Sequence, residues 1–307
     1  MRALLRRLGL VAANLLVITT LTFFLVHLAP GDSAAVRAGV GRGVTAQQVE
    51  RNRALAGLDR PLGERYLAWL GRSLRLDFGH SLDDGRPVRE RLGEALPTTL
   101  ALSLLALLFA VGVGIPAAVI AAARGAGGAR GMALLVALGY GLPPLVTALL
   151  LLRCGAPFGA SPGALAAAAL CLAVPTAASL GRHQHGALDV AMGADYLRTA
   201  RAVGASTTRI LLRHALRNAL LPTVTLLGAQ LPALLSGSVI VEQIFGLRGL
   251  GSLAAAALLG RDYPLLLGLT TVAALFTLGA MLATDLAYPL LDPRLRTDGD
   301  GRRREAK

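Results

Sequence analysis

Repeated runs of about twenty apolar residues constrain this chain more than any other feature. A helix needs roughly 20 such residues to cross the ~30 Å hydrocarbon core of a bilayer. Six stretches come close to that length: 8–29, about 97–122, about 132–152, about 163–181, about 219–245 and about 264–291. In lipid every backbone polar group must be satisfied within the segment, which leaves the helix as the form for each run. The sequence therefore predicts an all-α polytopic membrane protein with six transmembrane helices. Composition agrees, with 54% hydrophobic residues and a mean hydropathy of +0.59 over 307 residues. The first run follows Arg2, Arg6 and Arg7, is longer than a signal-peptide core and lacks an A-x-A site, so it reads as a retained first span. The third run contains Pro143-Pro144, and only residues 153–162 separate it from the fourth.

The charge pattern orients these spans. The net charge is +13, which in a soluble chain would suggest a nucleic-acid binder. Here the arginines lie between apolar runs, as the positive-inside rule expects, so no nucleic-acid partner is implied. One set of short segments holds Arg2, Arg6, Arg7, Arg124, Arg130, the basic stretch 182–218 and the tail from Arg294. The opposite set holds only Arg153, Arg248 and Arg261. An N-in, C-in arrangement follows. Residues 1–29 are then the cytoplasmic N-terminus and first span, 30–96 an extracytoplasmic loop, 97–291 the remaining membrane domain, and 292–307 a cytoplasmic tail. The loop 30–96 reads as helical. Thr45 to Gln48 fits a capping box, and Pro61 suits the first turn of a helix with Tyr66, Leu67, Trp69 and Leu70 on one broad face. A small helical cap on the membrane domain and a direct ligand site both fit that loop. The residues 297–307 are polar and expected to be disordered.

The stretch 195–222, DYLRTARAVGASTTRILLRHALRNALLP, interrupts the apolar pattern. Residues 187–203 can form one helix, ended by Gly204 in a left-handed turn. Ser206 can cap a second helix, from Thr207 to Asn218, with Ile210, Leu211, Leu212, Ala215 and Leu216 as its apolar set. The opposite face would carry Arg198, Arg201, Arg209, Arg213 and Arg217. The physics leaves two readings: an interfacial helix pair on lipid phosphates, or a docking knob for a cytoplasmic protein.

Several absences narrow the chemistry. The only lysine is Lys307, so no Gly-rich loop can complete a Walker A phosphate site, and ATP-driven work would fall to another chain. No Ser/Lys, paired-Asp or HExxH constellation sits in the apolar runs, so no catalytic residue is assigned. His183 and His185 are two residues apart without a third ligand in view, and read as solvated or lipid-facing rather than as a metal site. Cys154 and Cys171 read as reduced packing residues. Glu242 is an ionisable group within the fifth run. It either faces a pathway or is an interfacial acid paired with Arg248 or Arg261. Pro222 and Pro232 bend the same run and join Glu242 as pore or gate candidates.

The segments DYLRTARAVG and RHALRNALLP resemble the cytoplasmic EAA-type loop of ABC-importer permeases, and the dipeptide/oligopeptide/nickel subclass in particular. The resemblance runs along nearly the whole chain. It includes Pro30-Gly31-Asp32, GLDRPLGERYLAWLG (57–71), DFGHS (77–81), RPV (86–88), SGSVIVEQIFGLRGLG (236–251), RDYP (261–264) and DLAYPLLDPRLR (285–296). It implies a type I ABC-importer permease fold in the inner membrane, paired with a homologous second permease subunit. It further implies two ATP-binding subunits inside and an extracytoplasmic solute-binding protein outside. By position, Asp195, Tyr196, Thr199, Ala200, Arg201, Ala202 and Gly204 would form the element that couples to the ATPases. ATP and Mg would sit on the partner subunits, leaving this chain without a cofactor. The implied cargo is a dipeptide or oligopeptide, with nickel as the alternative. A passive channel and an intramembrane enzyme are the rival classes. The chain departs from the pattern at Arg198, where an acid is usual, and at Val203, where the peptide subclass often has lysine.

Overall fold

A computed structural model describes residues 2–28, 61–195, 197 and 204–291. The expected capping box at 45–48, most of the residues 196–203 and the tail 297–307 lie outside the described residues. Among the described residues nine helices of ten residues or more carry the fold: α1 Arg2–Leu28, α2 Leu62–Ser73, α3 Val88–Arg124, α4 Ala126–Gly141, α5 Pro144–Arg153, α6 Pro162–Met192, α7 Leu216–Phe245, α8 Leu250–Leu259 and α9 Tyr263–Leu291. Among the described residues the sole extended pairing is one antiparallel bridge, His80 to Pro87. Four of the described helices are individually long and apolar enough to cross a membrane, and up to six spans are reached among the described residues when each of two bent pairs counts as one.

Those bent pairs are where the apolar runs and the helices part company. The third run is not one straight helix. Pro143 takes an extended conformation (φ −57°, ψ 145°) and Pro144 opens α5, so α4 and α5 meet at 88°. A proline supplies no N–H and its ring excludes the preceding residue from helical geometry, so two in succession force a break. The second bend, 90°, lies between the end of α7 and α8. Gly246 makes it with a left-handed φ of 69°. The fourth run extends well beyond its expected end at 181, because α6 continues to Met192. Ser161 starts α6 by accepting the backbone N–H of Ala164 at 3.1 Å, with Pro162 in its first turn.

The chain divides into two compact units, Met1–Thr98 with Arg248–Leu278, and Thr99–Leu247 with Gly279–Lys307. In the first, Phe78, Val88, Leu92 and Ala95 pack with Leu250, Ala257, Leu265 and Leu269. A separate aromatic group joins Phe23 of α1 to Trp69 of α2 and Leu267 of α9. In the second, α6 presents a stripe of alanines that includes Ala164, Ala168 and Ala169, all fully buried against Leu102, Ala106, Val241 and Phe245. Small residues let helix backbones approach closely, and that packing replaces the hydrophobic drive absent between helices in lipid. Gly228 of α7 shows the closeness of approach, since a Cβ there would run into the Thr284 side chain of α9.

Candidate coupling and pore site

The basic stretch starts differently from the two-helix expectation. Residues 187–203 are not one helix: α6 ends at Met192, and Gly193 and Ala194 turn the chain through hydrogen bonds to Val190 and Ala191. These three-residue spacings tighten the last turn and glycine weakens helix continuation, so the direction changes there. The turn lets Leu197 reach the interior, where it is fully buried. Gly204 adopts φ 87°, as the left-handed stop requires, with open space where a Cβ would be. Ser206 accepts the N–H of Arg209 at 3.4 Å, the expected cap. The helix it opens does not end at Asn218. A helical turn Thr207–Arg209 widens into a π-helical stretch, Ile210–Ala215, which runs into α7 without a cap between them. Short π stretches inside α-helices tend to mark functional positions.

The apolar side of this element is bound into the helical body. Leu197, Ile210, Leu211 and Ala215 share one buried cluster with Ala118 and Ala121 of α3, Met132 of α4, Leu188 of α6 and Ala219 of α7. Arg209, Arg213 and Arg217 are exposed on the other side. Of the residues expected to couple, Asp195 and Gly204 are described, Asp195 in a helical turn. Tyr196, Thr199, Ala200, Arg201 and Ala202, with Arg198, lie outside the described residues.

One turn above this cluster a polar pair joins α6 to α7. The Thr223 hydroxyl donates to Oε1 of Gln184, and both side chains are buried. The Gln184 amide nitrogen is buried with no hydrogen-bond partner among the described residues. Leaving a buried donor unmade costs about 1–3 kcal/mol, so such groups concentrate where function or a partner needs them. Sequence reasoning missed this pair because it ended the fourth span at 181 and counted Gln184 as loop. Its signal was a glutamine that continues the α6 periodicity. Farther along the same two helices, Gln230 donates to the Ser179 hydroxyl at 3.4 Å. His183 leans on the Ser179 carbonyl of its own helix, while His185 lies 3.8 Å from Asp189.

Glu242, near the C-terminal end of α7, is fully buried, and the Thr99 hydroxyl of α3 donates to its Oε1 at 2.7 Å. A carboxylate removed from water needs such bonds to persist, and an ionisable group at this depth in an apolar helix is a functional position by default. Pro222 is exposed and Pro232 half-buried, both inside α7. Pro222 directly precedes Thr223, which places it beside the Gln184 contact.

The first unit holds a second polar centre, where two stretches far apart in sequence converge. Asp262, buried, caps α9 by accepting the N–H of Leu265 at 3.2 Å. Its other oxygen accepts the Ser81 hydroxyl and the N–H of Asp83. Arg91 donates to the same Ser81 hydroxyl at 2.9 Å and lies 3.5 Å from Asp84. Slight burial works to raise the Asp84 carboxyl, but the backbone N–H of Arg86 and the charges of Arg91 and Arg86 outweigh it and hold Asp84 below the usual carboxylate range.

Apolar helices long enough to cross a bilayer, packed through small residues around a few buried polar side chains, define a multi-pass α-helical membrane protein. The chain matches the family described as binding-protein-dependent transport system inner membrane component over residues 114–297, and the N-terminal part of that family's proteins over 1–103. It belongs to that family and is a permease subunit of the ABC-importer class. Similar proteins include a probable peptide ABC transporter permease protein of Sinorhizobium fredii, 35% identical across 95% of this chain and 98% of the relative. The dipeptide transport system permease protein DppB of Bacillus subtilis is 33% identical over 98% and 99%. DppB of Escherichia coli is 33% identical over 95% and 98%. Among solved structures, the MetNI methionine ABC transporter aligns with a TM-score of 0.58 at 19% identity, covering 66% of this chain and 96% of that one. An amino acid ABC transporter with histidines aligns at 0.52 and 20%, covering 65% and 94%. At these identities the two structures speak for the fold.

Proposed function

We propose that this chain forms one half of the pore of an ATP-driven importer for dipeptides or oligopeptides. The observation that carries the cargo reading is the near-full-length similarity, at 33–35% identity, to permeases named for peptides and dipeptides. The other half would be a homologous permease subunit, with two ATP-binding subunits inside and a solute-binding protein outside. The chain itself has no ATPase site and no cofactor; ATP and Mg belong to the partners. Six spans with both termini inside a bacterial inner membrane complete the reading, with each bent helix pair counted as one span.

Coupling would enter at 195–217. Closure of the ATPase dimer pushes on this element, with Asp195, Tyr196, Thr199, Ala200, Arg201, Ala202 and Gly204 as the coupling residues. Leu197, Ile210, Leu211 and Ala215 are packed on α3, α4, α6 and α7, so the push spreads over four helices instead of pulling on a tether. Close-packed interiors transmit such displacements because they resist compression. Glu242, Pro222 and Pro232 are the pore candidates on the α7 that would tilt. The Gln184–Thr223 contact keeps α6 and α7 moving together at the inner end.

The test is uptake by proteoliposomes holding the chain with its cognate subunits and binding protein. A radiolabelled dipeptide should accumulate only with ATP inside the ATPase-facing compartment, and excess unlabelled oligopeptide should compete. Accumulation of nickel with no dipeptide uptake would favour the nickel alternative. Flux without the ATPase subunits would make the chain a passive channel and overturn the proposal.

A further inference from the structure

The helix α2 divides its apolar residues between two faces, and the described residues cover only one of them. Tyr66, Trp69 and Leu70 pack toward Phe23 and Phe24 of α1, with Trp69 buried and Tyr66 stacked on Phe24 at 5.7 Å. Leu67 and Leu74 lie on an adjacent stripe, seven residues apart, and are 67% and 80% exposed. Leu76 follows at 62%. The polar side carries Glu64, Arg72 and Arg75, all exposed. Three large apolar side chains facing water on one twelve-residue helix and its following turn would be a costly surface, at about 25 cal/mol for each Å² of apolar area.

The depth of α2 along α1 says what covers that stripe. The Tyr66 hydroxyl shares a hydrogen bond of 2.7 Å with Thr20. Thr20 is eight residues before the end of α1 at Leu28, or about 12 Å along the helix axis. Thr20 therefore lies within the apolar run of the span, beside Leu21 and Leu25, which are 58% and 69% exposed and face outward. A helix bonded to α1 at that level sits at the depth of the lipid, not above it, and its free apolar stripe continues the outward-facing surface of α1.

We infer that α2 is a half-immersed interfacial helix, with Leu67, Leu74 and Leu76 in the acyl boundary of one leaflet and Arg72 and Arg75 at the phosphate level. Amphipathic helices of this kind lie in the interface plane with the apolar face buried about 5–10 Å. The partner of this face is lipid, and the inference rests on the membrane reading of α1 but not on the cargo or on coupling.

The experiment places nitroxide labels at Leu67→Cys, Leu74→Cys and Glu64→Cys, one at a time, in the full chain with Cys154 and Cys171 replaced by alanine. Vesicles of phosphatidylethanolamine and phosphatidylglycerol hold the chain with its cognate subunits. Collision with dissolved oxygen and with a water-soluble nickel chelate reads depth without any transport. Labels at 67 and 74 should show an oxygen-to-chelate ratio several-fold above the label at 64, unchanged when the soluble binding protein is added. Equal chelate access at all three positions overturns the inference. Protection at 67 and 74 that appears only with the binding protein also overturns it, and assigns the stripe to that protein. Leu67→Gln and Leu74→Gln, which fold if the stripe is not core, should shift the oxygen-to-chelate ratio of a label at position 71 toward water.

Discussion

Two long helices of this chain begin in opposite ways. α9 begins on a buried carboxylate: Asp262 holds the first turn through Leu265 and accepts Ser81 and Asp83 from 181 and 179 residues earlier in the chain. The element leading into α7 begins on a left-handed glycine, a single long serine cap at 3.4 Å and a π-helical stretch. The α9 start spends polar contacts to hold one geometry. The α7 start relies on backbone conformation and on the apolar contacts of Leu197, Ile210, Leu211 and Ala215. On the coupling proposed above, a segment that yields to a motor and still transmits its push needs little directional bonding and a dense apolar contact. A segment that must hold its place needs the reverse.

Substitutions can break this contrast, and the largest effect is expected at Gly204. With φ at 87° and no atom within 4 Å of a Cβ, the cost of Gly204→Val is backbone strain without a clash. Uptake should fall to background and substrate-stimulated ATP hydrolysis should be lost, while membrane expression stays near normal. Gly204→Asn, which tolerates the left-handed region, should retain much of the uptake. At the other start, Asp262→Ala removes a cap and leaves Ser81 and a helix N–H without their acceptor. Thermal unfolding of the purified complex should report a loss of about 2–4 kcal/mol. If Asp262→Ala abolished coupling with unchanged stability, the contrast between a holding and a yielding start would be wrong.

Helix packing comes next. Gly228→Ala forces a methyl toward the Thr284 side chain and should cost about 1–3 kcal/mol. Thr284→Gly in the same chain should recover part of it, which a double-mutant cycle would measure. The smallest effect belongs to Thr223→Val. It removes one interhelical hydrogen bond of the kind worth about 0.6 kcal/mol on average in membranes. A shift in the ATP-to-uptake ratio larger than the stability change would show that the Gln184–Thr223 contact serves motion more than folding.

Much of this architecture was legible because lipid restricts the alternatives. Apolar length marked the helices, Pro61 marked the start of α2, and Gly204 with Ser206 marked the turn in the basic stretch. The sequence could not show what depends on partners distant along the chain. Ser81 and Asp262 sit in separate short motifs, and neither motif names the other. The bend at Pro143-Pro144 was visible as a break, but its 88° angle depends on how α4 and α5 pack on α6. Gln184 was lost to a span boundary drawn where Arg182 enters, although the long arginine side chain can lie over the Tyr140 ring while its backbone stays helical. The widening at Ile210–Ala215 has no residue signature, since glycine and proline are absent from it.

The central claim is that a separate motor drives this chain through 195–217. The most direct measurement is ATP-dependent dipeptide uptake in proteoliposomes, comparing the wild-type complex with Gly204→Val at matched protein and matched ATPase assembly. The account predicts uptake in the first and none above the ATP-free control in the second, with the ATPase subunits still bound. Equal uptake by both complexes, or uptake that persists without the ATPase subunits, would contradict it.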